Sequence, residues 1–219
     1  MNKRHAYFKS ELKTRAETDG DKYIEGYFAV FNQETQLWGD EYERIAPGAF
    51  TTSLTNNDIR CLYNHDTGFV MGRMASSTLE LREDAHGLWG RVKINPDDSQ
   101  AMDVYARVQR GDISGCSFGF YPTSEEWASR SGGGTLWTVK EADTHEVSIC
   151  TFPAYPQTEI QARQADFEKS KKRTLEQRKA EIKSKLEAMK EHAKKNQINC
   201  RAEKEKNYSC STAGAENRF

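Results

Sequence analysis

The stretch Ser77-Thr78-Leu79-Glu80-Leu81-Arg82-Glu83-Asp84-Ala85-His86-Gly87-Leu88-Trp89-Gly90-Arg91-Val92-Lys93-Ile94 decides the fold class. Apolar and polar residues alternate on both sides of Asp84-Ala85-His86-Gly87. A period of two is the strand period, because successive side chains leave opposite faces of the backbone. Two such runs joined by a turn-forming tetrapeptide predict a hairpin over residues 78–94.

Working outward, the same signature recurs. Tyr23-Ile24-Glu25-Gly26-Tyr27-Phe28-Ala29-Val30-Phe31 is rich in aromatic and β-branched residues and reads as a strand, with Gly26 marking a bulge or bend. Residues 59–63, 69–73 and 117–121 read as further strands, and 135–140 and 146–152 as a final pair. Residues 32–40 read as a loop. Two helices interrupt the pattern. One is short, around 48–54, after the breaker Pro47-Gly48. The other starts at Asn95-Pro96-Asp97-Asp98-Ser99, carries Met102, Tyr105, Ala106 and Val108 at helical spacing, and stops at Gly111. Short antiparallel strands at close intervals predict a mainly β body, a small barrel or sandwich.

The ends differ from this body. Residues 1–20 are polar and expected to be a flexible segment, with a first strand considered at 7–12. The body spans 21–162, where Pro153 and Pro156 end the pattern. In 163–195 the residues Phe167, Leu175, Ile182, Leu186 and Met189 form a narrow stripe among Lys and Glu, which predicts a long, mostly exposed amphipathic helix. Leu175, Ile182 and Met189 stand one heptad apart, a spacing that permits a coiled coil. Residues 196–219 are polar and expected to be disordered.

Charge follows the same division. The chain carries a net −1, but residues 1–162 hold −8 and residues 163–219 hold +7. A basic tail on an acidic body points to an acidic partner or to a solvated lysine-rich helix. Nucleic acid is disfavoured, because Glu residues interleave with the basic ones and beyond Phe167 the helix lacks aromatic stacking residues. The five cysteines (Cys61, Cys116, Cys150, Cys200, Cys210) are odd in number and lack CxxC spacing. They read as reduced thiols rather than a disulfide frame or a metal site. No secretory leader or bilayer-spanning run is seen, so a soluble intracellular protein without metal or cofactor is expected.

Chemistry enters through three strand-like segments. Ser117 lies within Gly111-Asp112-Ile113-Ser114-Gly115-Cys116-Ser117-Phe118-Gly119-Phe120, His65 closes the strand before Asp66, and His145-Glu146-Val147-Ser148 opens another. A serine, a histidine and an acid are the parts of a hydrolytic triad. The hydroxyl is a poor nucleophile until a base takes its proton, and that base needs a group to orient it. Ser114 and Cys116 are rival nucleophiles. Strand alternation turns Cys116 and Ser117 to opposite faces, so only one of them can meet His65.

Seven motifs then occur in order. They are residues 24–32 (Ile-Glu-Gly-Tyr-Phe-Ala-Val-Phe-Asn), 43–50 (Glu-Arg-Ile-Ala-Pro-Gly-Ala-Phe), 62–66 (Leu-Tyr-Asn-His-Asp), Met71-Gly72-Arg73, 116–120 (Cys-Ser-Phe-Gly-Phe), Glu146-Val147-Ser148 and Pro153-Ala154-Tyr155-Pro156. The series resembles the prohead (capsid maturation) serine proteases of tailed bacteriophages across roughly residues 22–162. That family is similar to the herpesvirus assembly proteases. The resemblance implies their fold, a small β-barrel with flanking helices, here followed by a long C-terminal helix. It implies a serine endopeptidase in the host cytoplasm, inside the immature capsid, that cleaves scaffold segments of the major capsid protein and then itself, with dimers expected.

The family's Asn-His motif falls on Asn64-His65, its Ser-x-Gly-aromatic motif on Ser117-Phe118-Gly119-Phe120, and its acid-Val-Ser motif on Glu146-Val147-Ser148. The resemblance therefore implies Ser117 as nucleophile, His65 as base and Glu146 as the orienting acid. His145 is the rival third member, since the herpesvirus enzymes use a second histidine there, with Asp143 and Asp66 as further alternatives. The competing class is a non-enzymatic scaffold or capsid-binding protein that works through its C-terminal helix.

Overall fold

A computed structural model describes residues 3–9, 12–18, 20–152, 164, 167–169 and 171–190. The chain divides into two units, Met1–Asp166 and Phe167–Phe219. In the first, β1 (Arg4–Lys9), β2 (Lys13–Ala16), β3 (Lys22–Val30), β4 (Thr35–Trp38) and β5 (Glu41–Ile45) precede the short helix α1 (Thr51–Asn56). β6 (Arg60–Tyr63), β7 (Asp66–Arg73), β8 (Leu79–Glu83) and β9 (Gly87–Ile94) follow. After α2 (Ser99–Arg110) come two long strands, β10 (Gly115–Ser129) and β11 (Thr135–Cys150). In the second unit, residues 171–190 form a helix, α3.

The hairpin read from residues 78–94 is β8–β9, paired from Leu79↔Val92 to Glu83↔Leu88. It sits in a four-stranded sheet ordered β2-β3-β9-β8. The bulge expected near Gly26 falls between Tyr27 and Ala29. The second sheet has seven strands built on β11. One edge of β11 carries β10 antiparallel, with β1 beyond it. The other edge carries β5 along Thr135–Val139 and β6 along Glu146–Ile149, both parallel. β4 extends β5, and β7 extends β6.

Several expectations are corrected here. The segments 135–140 and 146–152 are not a pair but the two ends of the single strand β11, because each end finds its own partner on the far edge. Two pairings are parallel where only antiparallel ones were expected. The loop at 32–40 contains β4. The first strand considered at 7–12 is replaced by β1 and β2 within residues 4–16. The fold is mainly β, with α3 beyond it. The strands form two sheets, and no closed barrel is found among the described residues, so of the barrel or sandwich expected the barrel is not confirmed. The proline break at 153–156 and the tail from 196 lie outside the described residues.

α2 follows its sequence signals closely. The Asp98 carboxylate accepts from the Gln100 and Ala101 amides at 3.0 and 3.2 Å, and Gly111 ends the helix at φ 89°. The buried face is Ala101, Val104, Tyr105 and Val108, one step round from the stripe read in sequence, so Ala106 is exposed. Core side chains of the first unit include Ile24, Phe28, Leu88, Val92, Phe50, Phe118, Val147 and Ile149, with the Phe50 and Phe118 rings edge-to-face at 5.0 Å. On α3, Leu175, Ile182, Leu186 and Met189 are all exposed. Among the described residues no helix is long and apolar enough to cross a membrane.

Candidate active site

Along the paired ends of β10 and β11 the register runs Cys116↔Ile149, Ser117↔Ser148, Phe118↔Val147, Gly119↔Glu146. Cross-strand partners share a face, and neighbours along a strand do not. Cys116, Phe118, Val147 and Ile149 therefore fill the core. Ser117, Gly119, Glu146, Ser148 and Cys150 form the opposite face.

His65 reaches that face from a tight turn. β6 and β7 pair at Tyr63↔Asp66, leaving Asn64 and His65 as a two-residue loop with φ of 52° and 61°. Two consecutive positive φ values are what such a hairpin demands, and asparagine tolerates them best among non-glycine residues. Asn64 also fastens the turn to the end of β11. Its amide donates to the Ile149 carbonyl, and its side-chain oxygen accepts from the Thr151 amide, both at 2.9 Å. The Asn-His dipeptide is thus a hinge pin and a functional group side by side.

His65 Nδ1 and Glu146 Oε1 stand 2.7 Å apart. Glu146 is nearly buried, and burial alone opposes its ionisation. Hydrogen bonds from His5, His65 and Ser148, together with the charge of His65, outweigh that and hold its carboxyl far below the usual carboxylate range. An ionised carboxylate only accepts, so Nδ1 donates to it in either protonation state, and Nε2 is the nitrogen that can act as base when the ring is neutral. Ser148 Oγ donates to the other carboxylate oxygen at 2.7 Å. Gly119 faces the same group across the strands, and a Cβ there would overlap Glu146 Oε1. This is a physical reason for glycine two residues after the serine.

The structure brings His65 and Glu146 together and leaves Ser117 one cross-strand step away, opposite Ser148. The Ser117 hydroxyl donates to the Ala6 carbonyl of β1 at 2.9 Å, and the residue is 0% exposed. Cys116 lies on the core side, as strand alternation requires, and Ser114 is exposed outside the strand. His145 points away from Glu146 and pairs with Asp143 at 3.0 Å, while Asp66 caps its own turn through the Gly68 amide. The carboxylate seen on His65 Nδ1 is that of Glu146.

Three neighbours were missed in sequence. His5, on β1, lies with Nε2 3.3 Å from Glu146 Oε1 and its ring centroid 4.1 Å from that of His65. Lys3 Nζ is 3.4 Å from the same oxygen. Cys150 Sγ is 3.8 Å from His65 Nε2. Burial, and then the Glu146 charge, push the Cys150 thiol up to about 12, so it is a neutral S–H at physiological pH. Period-two counting from Glu146 would have found Ser148 and Cys150. Nothing local announces His5, whose place depends on a strand pairing over a hundred residues distant.

His5, His65 and Glu146 also offer donor atoms within 4.8 Å of one another. Two histidines and a glutamate are a set that suits zinc. A tetrahedral ion with bonds of about 2.0–2.1 Å would have to spread the Nδ1–Oε1 pair to roughly 3.3 Å. The short hydrogen bond fits an imidazole oriented by a carboxylate better.

Comparison with known proteins places the chain in a family. The model of the family described as "Caudovirus prohead serine protease" matches residues 10–173. A prohead protease of Enterobacteria phage HK97 is 34% identical over 156 residues, covering 69% of this chain and 65% of that protein. The capsid assembly protease of bacteriophage T4 aligns with a TM-score of 0.41 at 10% identity, over 67% of this chain and 98% of that one. With the family model spanning most of its length and every ordered motif, the chain belongs to the caudovirus prohead serine protease family.

Proposed function

We propose that the protein is a serine endopeptidase of capsid maturation, acting inside the prohead in the host cytoplasm on scaffold segments of the major capsid protein and on itself. The observation that carries this reading is the 2.7 Å bond from His65 Nδ1 to Glu146, set on the sheet face that also holds Ser117. Ser117 Oγ attacks the scissile carbonyl carbon while His65 Nε2 takes its proton. The same imidazolium returns that proton to the leaving amine. Water then hydrolyses the acyl-enzyme, with Glu146 holding the tautomer and offsetting the charge on the ring throughout.

A second nucleophile has one observation in its favour, the closeness of Cys150 Sγ to His65 Nε2. Its raised pKa argues against it, because the thiolate is the reactive form. The body at 21–162 carries the chemistry in this reading. The exposed stripe on α3 docks on a helical scaffold partner, and a chain ending near Arg163 would then fail to be packaged. A binding protein without catalysis leaves the His65–Glu146 pair without a purpose.

Intact mass spectrometry tests the proposal after co-expression with the major capsid protein of the same phage. Wild type shortens both proteins, and Ser117→Ala and His65→Ala leave both at full length. Retained cleavage in Ser117→Ala with loss in Cys150→Ser would transfer the role to the cysteine.

A further inference from the structure

A serine that is 0% exposed, with its hydroxyl held by a main-chain carbonyl, cannot meet a substrate in the arrangement seen. The element that holds it is β1, antiparallel to β10 from Arg4↔Phe120 to Lys9↔Gly115 and outermost on that side of the sheet. β1 touches both ends of the candidate triad. Its Ala6 carbonyl takes the Ser117 hydrogen, and Lys3 and His5 converge on the Glu146 oxygen that orients His65. The family match begins at residue 10, just after this strand.

We propose that the β10 edge at residues 115–120 is the substrate-binding edge, that it takes an extended capsid-protein segment as an added strand, and that β1 occupies it as an internal stand-in. This rests on the protease reading of Ser117, His65 and Glu146. Strand addition suits a protease that must accept several sites, because the main-chain ladder gives affinity while alternate side chains give selectivity. The stand-in defines that selectivity. Ala6 is packed at 3% exposure, so the residue in its place is small. Arg4 donates to Glu125 at 2.7 Å and lies 3.8 Å from Glu43, so a cation is favoured in its place. The positions of Lys3 and His5 face the Glu146 carboxylate and favour basic or hydrogen-bond-donating side chains. The preferred segment is extended and basic, with a small residue where Ala6 lies.

The register supplies a test in the full chain. Phe8 pairs with Cys116. Cα atoms of such pairs lie about 4.5–5.5 Å apart, within disulfide range. Phe8→Cys should therefore fasten β1 to β10 when oxidised. With the major capsid protein as substrate, cleavage should fall at least tenfold in the oxidised variant and return on reduction, while wild type ignores the oxidant. Equal cleavage by the locked and reduced forms would overturn the inference.

Should that variant fold poorly, hydrogen exchange on full-length Ser117→Ala, with and without the capsid protein, decides the matter. Residues 4–9 should lose protection when the capsid protein binds, and binding that leaves them unchanged would refute displacement. If wild type never cleaves the capsid protein, the protease reading itself falls, and this inference with it. If wild type cleaves and the locked form does too, only the inference falls.

Discussion

The two faces of the β10–β11 pair are built from alternate residues of the same ten or so positions, yet they answer to different physics. On one face Cys116, Phe118, Val147 and Ile149 are held by the absence of water. On the other, Ser117, Glu146, Ser148 and Cys150 are equally buried, but each polar group is held by a named partner. The apolar face tolerates exchange of one hydrocarbon for another at modest cost, since it asks mainly for volume. The polar face tolerates almost nothing, because a buried carboxylate that loses its partners is left with its desolvation penalty. A one-residue slip of register would exchange the two faces, so the core specifies the site.

The sharpest way to break this comparison is to change one atom of the polar face. Glu146→Gln keeps size and shape but removes the charge that fixes the His65 tautomer. Cleavage should fall on the order of 10³–10⁴-fold with the fold intact. Circular dichroism beside a cleavage assay checks both halves, and a Gln variant that still cleaves normally would return Glu146 to a structural role.

The matching change on the apolar face is Phe118→Ala. It removes a fully buried ring packed against Phe50, and should cost about 3–5 kcal/mol of stability in denaturant unfolding. Cleavage per folded molecule should change far less than in Glu146→Gln. Comparable losses of activity would mean that the two faces are not separable.

Gly119→Ala tests the polar face by crowding rather than by charge. Its Cβ overlaps Glu146 Oε1 and comes 2.6 Å from the Lys3 side chain, so the carboxylate must move off His65. Activity should drop by roughly 10²-fold, the scale expected when a positioning error of about 1 Å enters an active site. Stability should change less than in Phe118→Ala. If activity survives, Glu146 has another place to go.

How far this was legible in the sequence follows from the same contrast. Alternation gave the β8–β9 hairpin and the assignment of Ser117 and Cys116 to opposite faces, because it is a local signal. The Asp98 and Gly111 ends of α2 are local too. The continuity of β11 was hidden: its two ends look like separate strands, and only distant β5 and β6 reveal why one strand spans both. The strand pattern left barrel and sandwich open and the resemblance favoured the barrel, because closure of a sheet is decided by long-range pairings that no local pattern carries. His65 and Glu146 were found through motifs in sequence order. Lys3 and His5 were invisible, since residues 1–20 carry no strong strand pattern and their pairing with β10 is a long-range contact.

Acidification separates the faces by the smallest effect. Hydrophobic packing has no proton to gain, whereas Glu146 does. Its carboxyl titrates lower in the folded chain than in the unfolded one, because the bonds from His5, His65 and Ser148 outweigh its burial. Below the unfolded-state value, near pH 4.3, the unfolded chain takes the proton first. Stability from this group is therefore complete above that pH and is lost progressively as pH falls toward the folded-state value. Below pH 4 wild type should lose stability with falling pH more steeply than Glu146→Gln, by at most the one-proton slope of about 1.4 kcal/mol per pH unit. Phe118→Ala should keep the wild-type slope, displaced downward as a whole. Parallel curves for wild type and Glu146→Gln would mean that the carboxyl is not held low by its neighbours, and the electrostatic account of the polar face would have to be abandoned.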